Sequence, residues 1–340
     1  MRKWKKLVFL FAASAMLLSA CSNNAATNTS STEGAGTEGS GGGQRSQVLF
    51  GTGTPGGVYE ILGTGMVNIL NQNLTDVEMV AVTPAQIQQL PAMIQSGEAA
   101  LGIGMACMFE RAYNGEQEFT GNAQTDIVQV CGMYDNVMGL IALGSSPINS
   151  VEDITEDTVI ASTATNRFVI SELLKAAGKD PENMDYRVMS YSQAAEALGD
   201  GNADVAFLTA YPYNGTLDSV WSTKDVKFLS MTEETRNNYN EANPRNLMKA
   251  VPAGTYAGQE EDHWSPTVYT VLYANKNVSE DIVYETVATL IEHVDEIAVI
   301  HPSGADITLE TTQRYLDDGI MSADRMHPGA LKYFSENGVE

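Results

Sequence analysis

The chain has 340 residues, with 43 acidic side chains against 19 basic ones and a net charge of −24 at pH 7. That surplus of negative charge repels nucleic acid and anionic lipid headgroups, so neither is an expected partner. The length and the 43% hydrophobic content suffice for two domains of ordinary size.

In chain order a leader comes first. Met1 to Lys6 is basic and Leu7 to Leu18 is apolar, the two regions of an export signal, and the apolar run is too short to span a membrane comfortably. It closes on Leu18-Ser19-Ala20-Cys21, which resembles a bacterial lipobox. Residues 1–20 therefore read as a lipoprotein signal peptide and Cys21 as the lipid attachment site. Without the leader's Arg2, Lys3, Lys5 and Lys6, 15 basic residues face 43 acidic ones, a net charge of −28. Residues 21–46 are rich in Ser, Thr, Asn, Ala and Gly, carry no large apolar side chain, and read as a flexible tether. No later run reaches the roughly 18 apolar residues of a membrane helix. The expected location is extracytoplasmic, lipid-anchored at the outer face of the cell membrane, with the lipid as the only membrane contact.

The body alternates strands and helices. Val48 to Gly51 reads as a strand, and Val58, Ile61, Leu62, Met66, Ile69 and Leu70 lie at helical spacing. Val77 to Thr83 is a second strand, Ile87 to Ile94 a helix stopped at Gly97, and Ala100 to Gly104 a third strand. The unit recurs: strand Thr158 to Ala161, polar turn Ser162 to Arg167, helix Phe168 to Ala177, strand Tyr186 to Met189, a short helix capped by Ser192, and strand Ala203 to Leu208. Between the units, Ile127 to Tyr134 and Val137 to Leu143 are apolar runs suited to crossing from one lobe to the other, and Val226 to Met231 is suited to crossing back. Strand Thr267 to Ala274 and a helix from Ser279 through Ile297 complete the first lobe. The expected fold is α/β, bilobed and periplasmic-binding-protein-like (type II). Two doubly wound lobes are joined by crossing strands, with lobe I at 47–131 and 232–340 and lobe II at 132–231. Ligands of such sheets bind beyond the carboxyl ends of the strands.

The expected site lies there. The turn Phe50-Gly-Thr-Gly-Thr-Pro-Gly-Gly-Val-Tyr59 puts bare amides and a helix N-terminus in front of a ligand, an anion cradle that includes Gly53, Thr54 and Tyr59. The equivalent turn of the second unit offers Thr163, Thr165 and Asn166 as donors and Arg167 as a carboxylate clamp. Tyr134, Tyr211 and Asn214 sit at strand ends, and several phenols together favour a small, partly apolar, polar-ended solute.

Signatures of catalysis and of metal binding are missing. His263, His293, His301 and His327 show no ligand spacing, and no Gly-x-Ser-x-Gly elbow, Walker lysine or Cys-x-x-Cys occurs. No cofactor and no enzymatic activity are expected. Gly51-Thr-Gly-Thr-Pro-Gly56 does satisfy the dinucleotide fingerprint, so an exported dinucleotide-dependent enzyme is one alternative. However, the second strand ends in Val80-Ala-Val-Thr-Pro84, without the ribose-binding acid. Cys107 and Cys131 read either as a disulfide or as two buried free thiols.

The Gly51 turn resembles the TAXI class of solute receptors, together with Gly97-Glu-Ala-Ala-Leu-Gly102, Gly254-Thr-Tyr-Ala-Gly258, Pro266-Thr-Val268, His301-Pro302 and His327-Pro-Gly-Ala330. These receptors serve tripartite ATP-independent periplasmic (TRAP) transporters. The resemblance implies a receptor that closes on a small organic anion, such as a dicarboxylate, an oxo acid or an acidic amino acid like glutamate, and delivers it to a TRAP-type permease; a monomer is expected. An ABC-importer receptor is the other alternative. The chain departs from the family at Arg167, where an acid is common, and at Met105-Ala-Cys107, where many members have Gln-Ser-Asp. Met105 therefore joins the expected ligand zone, and the exchange of acid for base at 167 favours a dicarboxylate.

Overall fold

A computed structural model describes residues 45–53, 57–211 and 214–340; the leader, Cys21, nearly all of the tether and Thr54 lie outside the described residues. The first unit runs β1 (Ser46–Gly51), α1 (Val58–Asn73), β2 (Val77–Val82), α2 (Leu90–Ser96), β3 (Leu101–Met105) and α3 (Ala106–Asn114). Then comes β4 (Ile127–Leu143), a strand of 17 residues. The second unit repeats the order with β5 (Val159–Ser162), α4 (Ala164–Ala176), β6 (Asp185–Val188), α5 (Tyr191–Gly199), β7 (Val205–Tyr211), α6 (Gly215–Thr223) and β8 (Val226–Phe228). The remainder is α7 (Glu233–Ala242), β9 (Met248–Val251), β10 (His263–Asn275), α8 (Glu280–Glu292), α9 (Val294–Ile300), α10 (Leu309–Asp317) and α11 (Pro328–Glu336).

The strand order is β2-β1-β3-β10-β4-β7-β5-β6. β1 lies parallel between β2 and β3, and β5 lies parallel between β6 and β7, so each half is a doubly wound α/β lobe. The two apolar runs of the crossing segment are one strand. β4 pairs antiparallel with β10 from Ile127 to Val137 and with β7 from Val137 to Ala142, so a single strand serves both sheets. At the crossover, Asp135 meets Lys249 at 2.6 Å, Arg314 at 3.0 Å and the Tyr315 hydroxyl at 2.7 Å. Burial pushes the Asp135 carboxyl up, but these partners outweigh it and hold the group below the usual carboxylate range.

Local chemistry sets the boundaries. α1 buries Leu62, Met66, Ile69 and Leu70 along one stripe. The helix expected from Ser279 through Ile297 is capped by Ser279 Oγ but breaks at His293, where α9 begins. His327 caps α11 ahead of Pro328, and its Nε2 lies 3.0 Å from the Val278 carbonyl. α4 starts at Ala164, so the stretch expected as a polar turn up to Arg167 is mostly the first turn of a helix. The cap of α5 is Ser190, in a reciprocal box with Gln193, rather than Ser192. α7 lies beyond the expected lobe boundary at 231, yet it is tied to the second lobe. Glu152 accepts from Thr232 and Thr235, and Asn238 donates to the Ala176 carbonyl. Cys107 and Cys131 are free, buried thiols.

Candidate functional site

The site grows from a register. Thr270 of β10 stands between Met105 of β3 and Tyr134 of β4. The β4–β10 register shifts beside Thr270, a bulge that re-aims the side chains next to it. Tyr134, Asn136 and Met138 alternate along one face of β4 and run from the first lobe into the second. Thr270 marks one end of this floor: Tyr59 Oη lies 3.1 Å from its Oγ1, and Asn136 Nδ2 donates to it at 3.5 Å. Thr209 of β7 marks the other end and reaches Met138 Sδ at 3.9 Å.

Over the first-lobe end, the rings of Tyr59 and Tyr134 meet edge to face at 6.2 Å. Gly53 makes this possible, because a Cβ there meets Tyr59 Cβ at 2.4 Å. Over the second-lobe end, Asn166 Nδ2 donates to Tyr191 Oη at 2.9 Å, and Tyr191 Oη lies 3.2 Å from Thr209 Oγ1. Burial is the main cause that pushes the Tyr59 and Tyr134 hydroxyls up, and Tyr191 is among the smaller contributors to both, so it lies near them from the other lobe. Cys107, at the start of α3, links this cluster to Tyr239 and Asn246. The lobes also touch where the Arg111 guanidinium lies 3.9 Å from the centre of the Phe168 ring.

Two properties decide what the cluster can bind. The first is orphaned polarity: the Tyr134 and Tyr239 hydroxyls and both polar atoms of the Asn246 amide are buried without a hydrogen-bond partner among the described residues. Thr270 and Asn136 lie beside the Tyr134 hydroxyl, and Asn246 lies beside the Cys107 thiol and the Tyr239 hydroxyl, but none of these neighbours is in hydrogen-bond geometry. Leaving such groups unmet costs about 1–3 kcal/mol each, so they favour a guest that supplies partners. The second is where positive potential comes from. α1 and α3 begin at Gly57 and Met105, neither of which caps its helix with a side chain, so among the described residues no N-cap side chain offsets the positive dipole end of either helix. Side-chain cations are committed elsewhere: Arg111 to Glu118 at 2.9 Å, and Lys249 and Arg314 to Asp135.

Burial pushes the hydroxyls of Tyr59, Tyr134, Tyr191 and Tyr239 up, so all four act as neutral donors or acceptors. Burial also pushes the Cys107 thiol up, against Arg111 and Asn246, and keeps it protonated. Among the described residues no group of three or more His, Cys, Asp or Glu could hold a metal, and no helix is long and apolar enough to cross a membrane.

Of the residues expected from sequence, Gly53, Tyr59, Met105, Tyr134 and Asn166 come together here. Thr163 is spent as the cap of α4, accepting from the Asn166 amide at 3.2 Å, and Thr165 is half-buried on the next turn position. Asn214 likewise caps its own helix, accepting from Thr216 and Leu217. Tyr211 is 40% exposed. Arg167 departs most from its expected role as a clamp: it is exposed, with its guanidinium 4.8 Å from the Tyr186 ring centre at the β6 edge. It follows Asn166 by about 100° around a helix, so when one faces the cleft the other turns away. Sequence reasoning missed Asn136, Thr209, Thr270, Tyr191, Tyr239 and Asn246. Only Tyr191 carried a local signal, the Ser190-x-x-Gln193 capping box that makes it the first helical residue. Cavities of about 400 and 430 Å³ lie away from the cluster, one beneath Trp264 and one between α5 and α6.

A family model described as the NMT1-like family matches residues 50–338. The chain belongs to the NMT1-like family. A search of curated proteins found no match. Among solved structures, XAC2383 from Xanthomonas citri bound to ATP is 12% identical over 87% of this chain and 100% of that one, with a TM-score of 0.52. The same protein bound to chloride ion is 9% identical over 86% and 99%, also at 0.52. The periplasmic aliphatic sulphonate binding protein SsuA from Escherichia coli is 12% identical over 86% and 79%, at 0.48. At these identities the likeness is one of fold, and it agrees with the strand order: this NMT1-like chain is a bilobed, periplasmic-binding-protein-like α/β protein.

Proposed function

We propose that this protein is an extracytoplasmic solute receptor, not an enzyme, and that its lobes shut on a small organic anion of low charge with an apolar body. The observation that carries this reading is the set of orphaned hydroxyl and amide groups beside two uncapped helix starts. Hydrogen-bond donors and dipole ends compensate one negative charge well, and the tyrosine rings suit an aliphatic or small cyclic body. With Arg167 facing outward, a monoanion fits better than the dicarboxylate or glutamate favoured from sequence.

Export and lipid attachment at Cys21 are proposed from the leader and tether, delivery to a TRAP-type permease is proposed from the TAXI resemblance, and the receptor is proposed to be a monomer. An ABC-type importer uses receptors of the same two-lobed plan. Genes for membrane subunits beside this one, with or without an ATPase, separate the two. Ligand-stripped protein is screened by thermal shift against monocarboxylates, oxo acids, dicarboxylates, glutamate and alkanesulfonates. A monoanion at a hundredfold excess over its Kd stabilises by about 2.7 kcal/mol. Stabilisation by organic cations alone, or by no solute in an organic-acid and amino-acid panel, ends the proposal.

A further inference from the structure

The cavity beneath Trp264 contains none of the cleft residues. It lies where β8, the β9–β10 ribbon and the start of α7 meet, and it holds about 400 Å³, within the roughly 300–1,000 Å³ of small-molecule sites. One wall is a run of aromatic rings. Trp221 lies 4.7 Å from Phe228, and Phe228 stacks on His263 at 4.2 Å with 9° between the planes. The opposite side carries Trp264, 42% exposed, with the Arg236 guanidinium 5.3 Å from its ring centre.

Two polar groups here have no counterpart. His263 is only 7% exposed, and neither ring nitrogen has a hydrogen-bond partner among the described residues, with Nε2 fully buried. Burial pulls its pKa down to about 3, so the ring is neutral and supplies one N–H and one acceptor. Arg236 is half-buried and makes no ion pair or side-chain hydrogen bond among the described residues. The remaining charges are less available. Lys227 is held by the carbonyls of Gly144 and Ser146 and by Asn149 Oδ1. Glu261 and Asp262 are exposed at the rim, and Asp262 accepts from the Ala253 amide.

We propose that this cavity is a second ligand site, separate from the cleft, for a small planar aromatic monoanion such as an aromatic or heteroaromatic carboxylate. Flat aromatic walls reward a ring, the guanidinium, unpaired among the described residues, takes the carboxylate in a bidentate fork, and the neutral imidazole meets a ring nitrogen or hydroxyl through Nδ1, the ring nitrogen that is not fully buried. Acids at the rim also fit a cationic guest, but they are solvated, whereas the unpaired cation is partly desolvated and so interacts more strongly.

Tryptophan occurs only at Trp4, Trp221 and Trp264, so in a chain carrying Trp4→Phe all tryptophan emission comes from this cavity. Titration with benzoate and with nicotinate is expected to quench that emission saturably. Cyclohexanecarboxylate, with the same charge and no aromatic ring, binds roughly tenfold more weakly, and benzylamine more weakly still. Arg236→Gln lowers affinity for both aromatic acids by roughly tenfold or more. His263→Phe keeps the aromatic wall and lowers nicotinate affinity more than benzoate affinity. Tyr134→Phe, in the cleft, leaves the quenching unchanged. Should Arg236→Gln not fold, the three-way comparison of benzoate, cyclohexanecarboxylate and benzylamine on the parent chain decides. Absence of saturable quenching, benzylamine binding as tightly as benzoate, a folded Arg236→Gln with unchanged affinity, or equal loss in Tyr134→Phe overturns the proposal.

Discussion

The two lobes share a topology but treat their helix starts differently. In the first lobe α1 and α3 begin at Gly57 and Met105, neither of which caps its helix with a side chain, so among the described residues their dipole ends are not offset by an N-cap side chain. In the second lobe Thr163, Ser190 and Asn214 each accept from the helix they precede, which consumes that potential internally. The second lobe instead brings side-chain donors, Asn166, Tyr191 and Thr209, linked in one chain of hydrogen bonds. On the proposed reading the duplicated architecture divides the work: one lobe would meet charge with its backbone, and the other would fix orientation with side chains.

This division is open to direct attack. The largest effect is expected from Gly57→Asp, which puts a cap and a fixed negative charge at the start of α1, where φ is −90° and ψ is 162° and a side chain is tolerated. The helix gains about 1 kcal/mol, and affinity for an anionic solute falls roughly a hundredfold by calorimetry. Unchanged affinity means that the anion sits elsewhere. Next comes Tyr134→Phe, which removes a buried hydroxyl that lacks a partner among the described residues. Its chemical-denaturation midpoint is expected to rise, by about 1 kcal/mol in stability, while solute affinity drops by a similar amount. A loss of stability instead shows that the hydroxyl is already satisfied within the protein. Thr163→Ala sharpens the contrast from the other side, costing about 1 kcal/mol of stability through the lost cap with little effect on affinity. A large affinity loss without destabilisation would reassign the anion to the second lobe. Smallest is Arg167→Ala, expected to change affinity by less than about 0.5 kcal/mol because the side chain lies out over Tyr186.

Much of the fold was legible because it rests on patterns that repeat. The order of strands and helices was legible, the bounds of β1, β2 and β6 were read within a residue or two, and the Ser279 cap and Pro328 at a first helical position were read at their residues, since apolar periodicity and caps are local. Gly53 and Tyr59 were legible as a pair because a strand, a glycine turn and a helix define one geometry. Arg167 was misdirected by a four-residue error in where α4 starts, and on a helix that shift decides which side chain faces the cleft. Thr270, Asn136 and Thr209 carried no signal, because their meeting depends on the pairing of β10 and β7 with β4 across more than a hundred residues of chain, or about seventy, which no window of sequence contains. Tyr239 and Asn246 were hidden for a related reason. α7 was assigned to the lobe that follows it in sequence, while its cap is tied to Glu152 behind it.

The strand shared by both sheets bears on how the molecule comes apart. A fragment ending before Ile127 lacks β10 and leaves β3 as an open edge, and one starting after Leu143 lacks β4 and leaves both β10 and β7 unpaired along it, so either half made alone exposes an unpaired backbone edge to its own copies. Cutting this protein in two should therefore yield precipitate rather than a pair of working modules, and any hinging between the halves has to be absorbed by bending a continuous ribbon rather than by letting go of it.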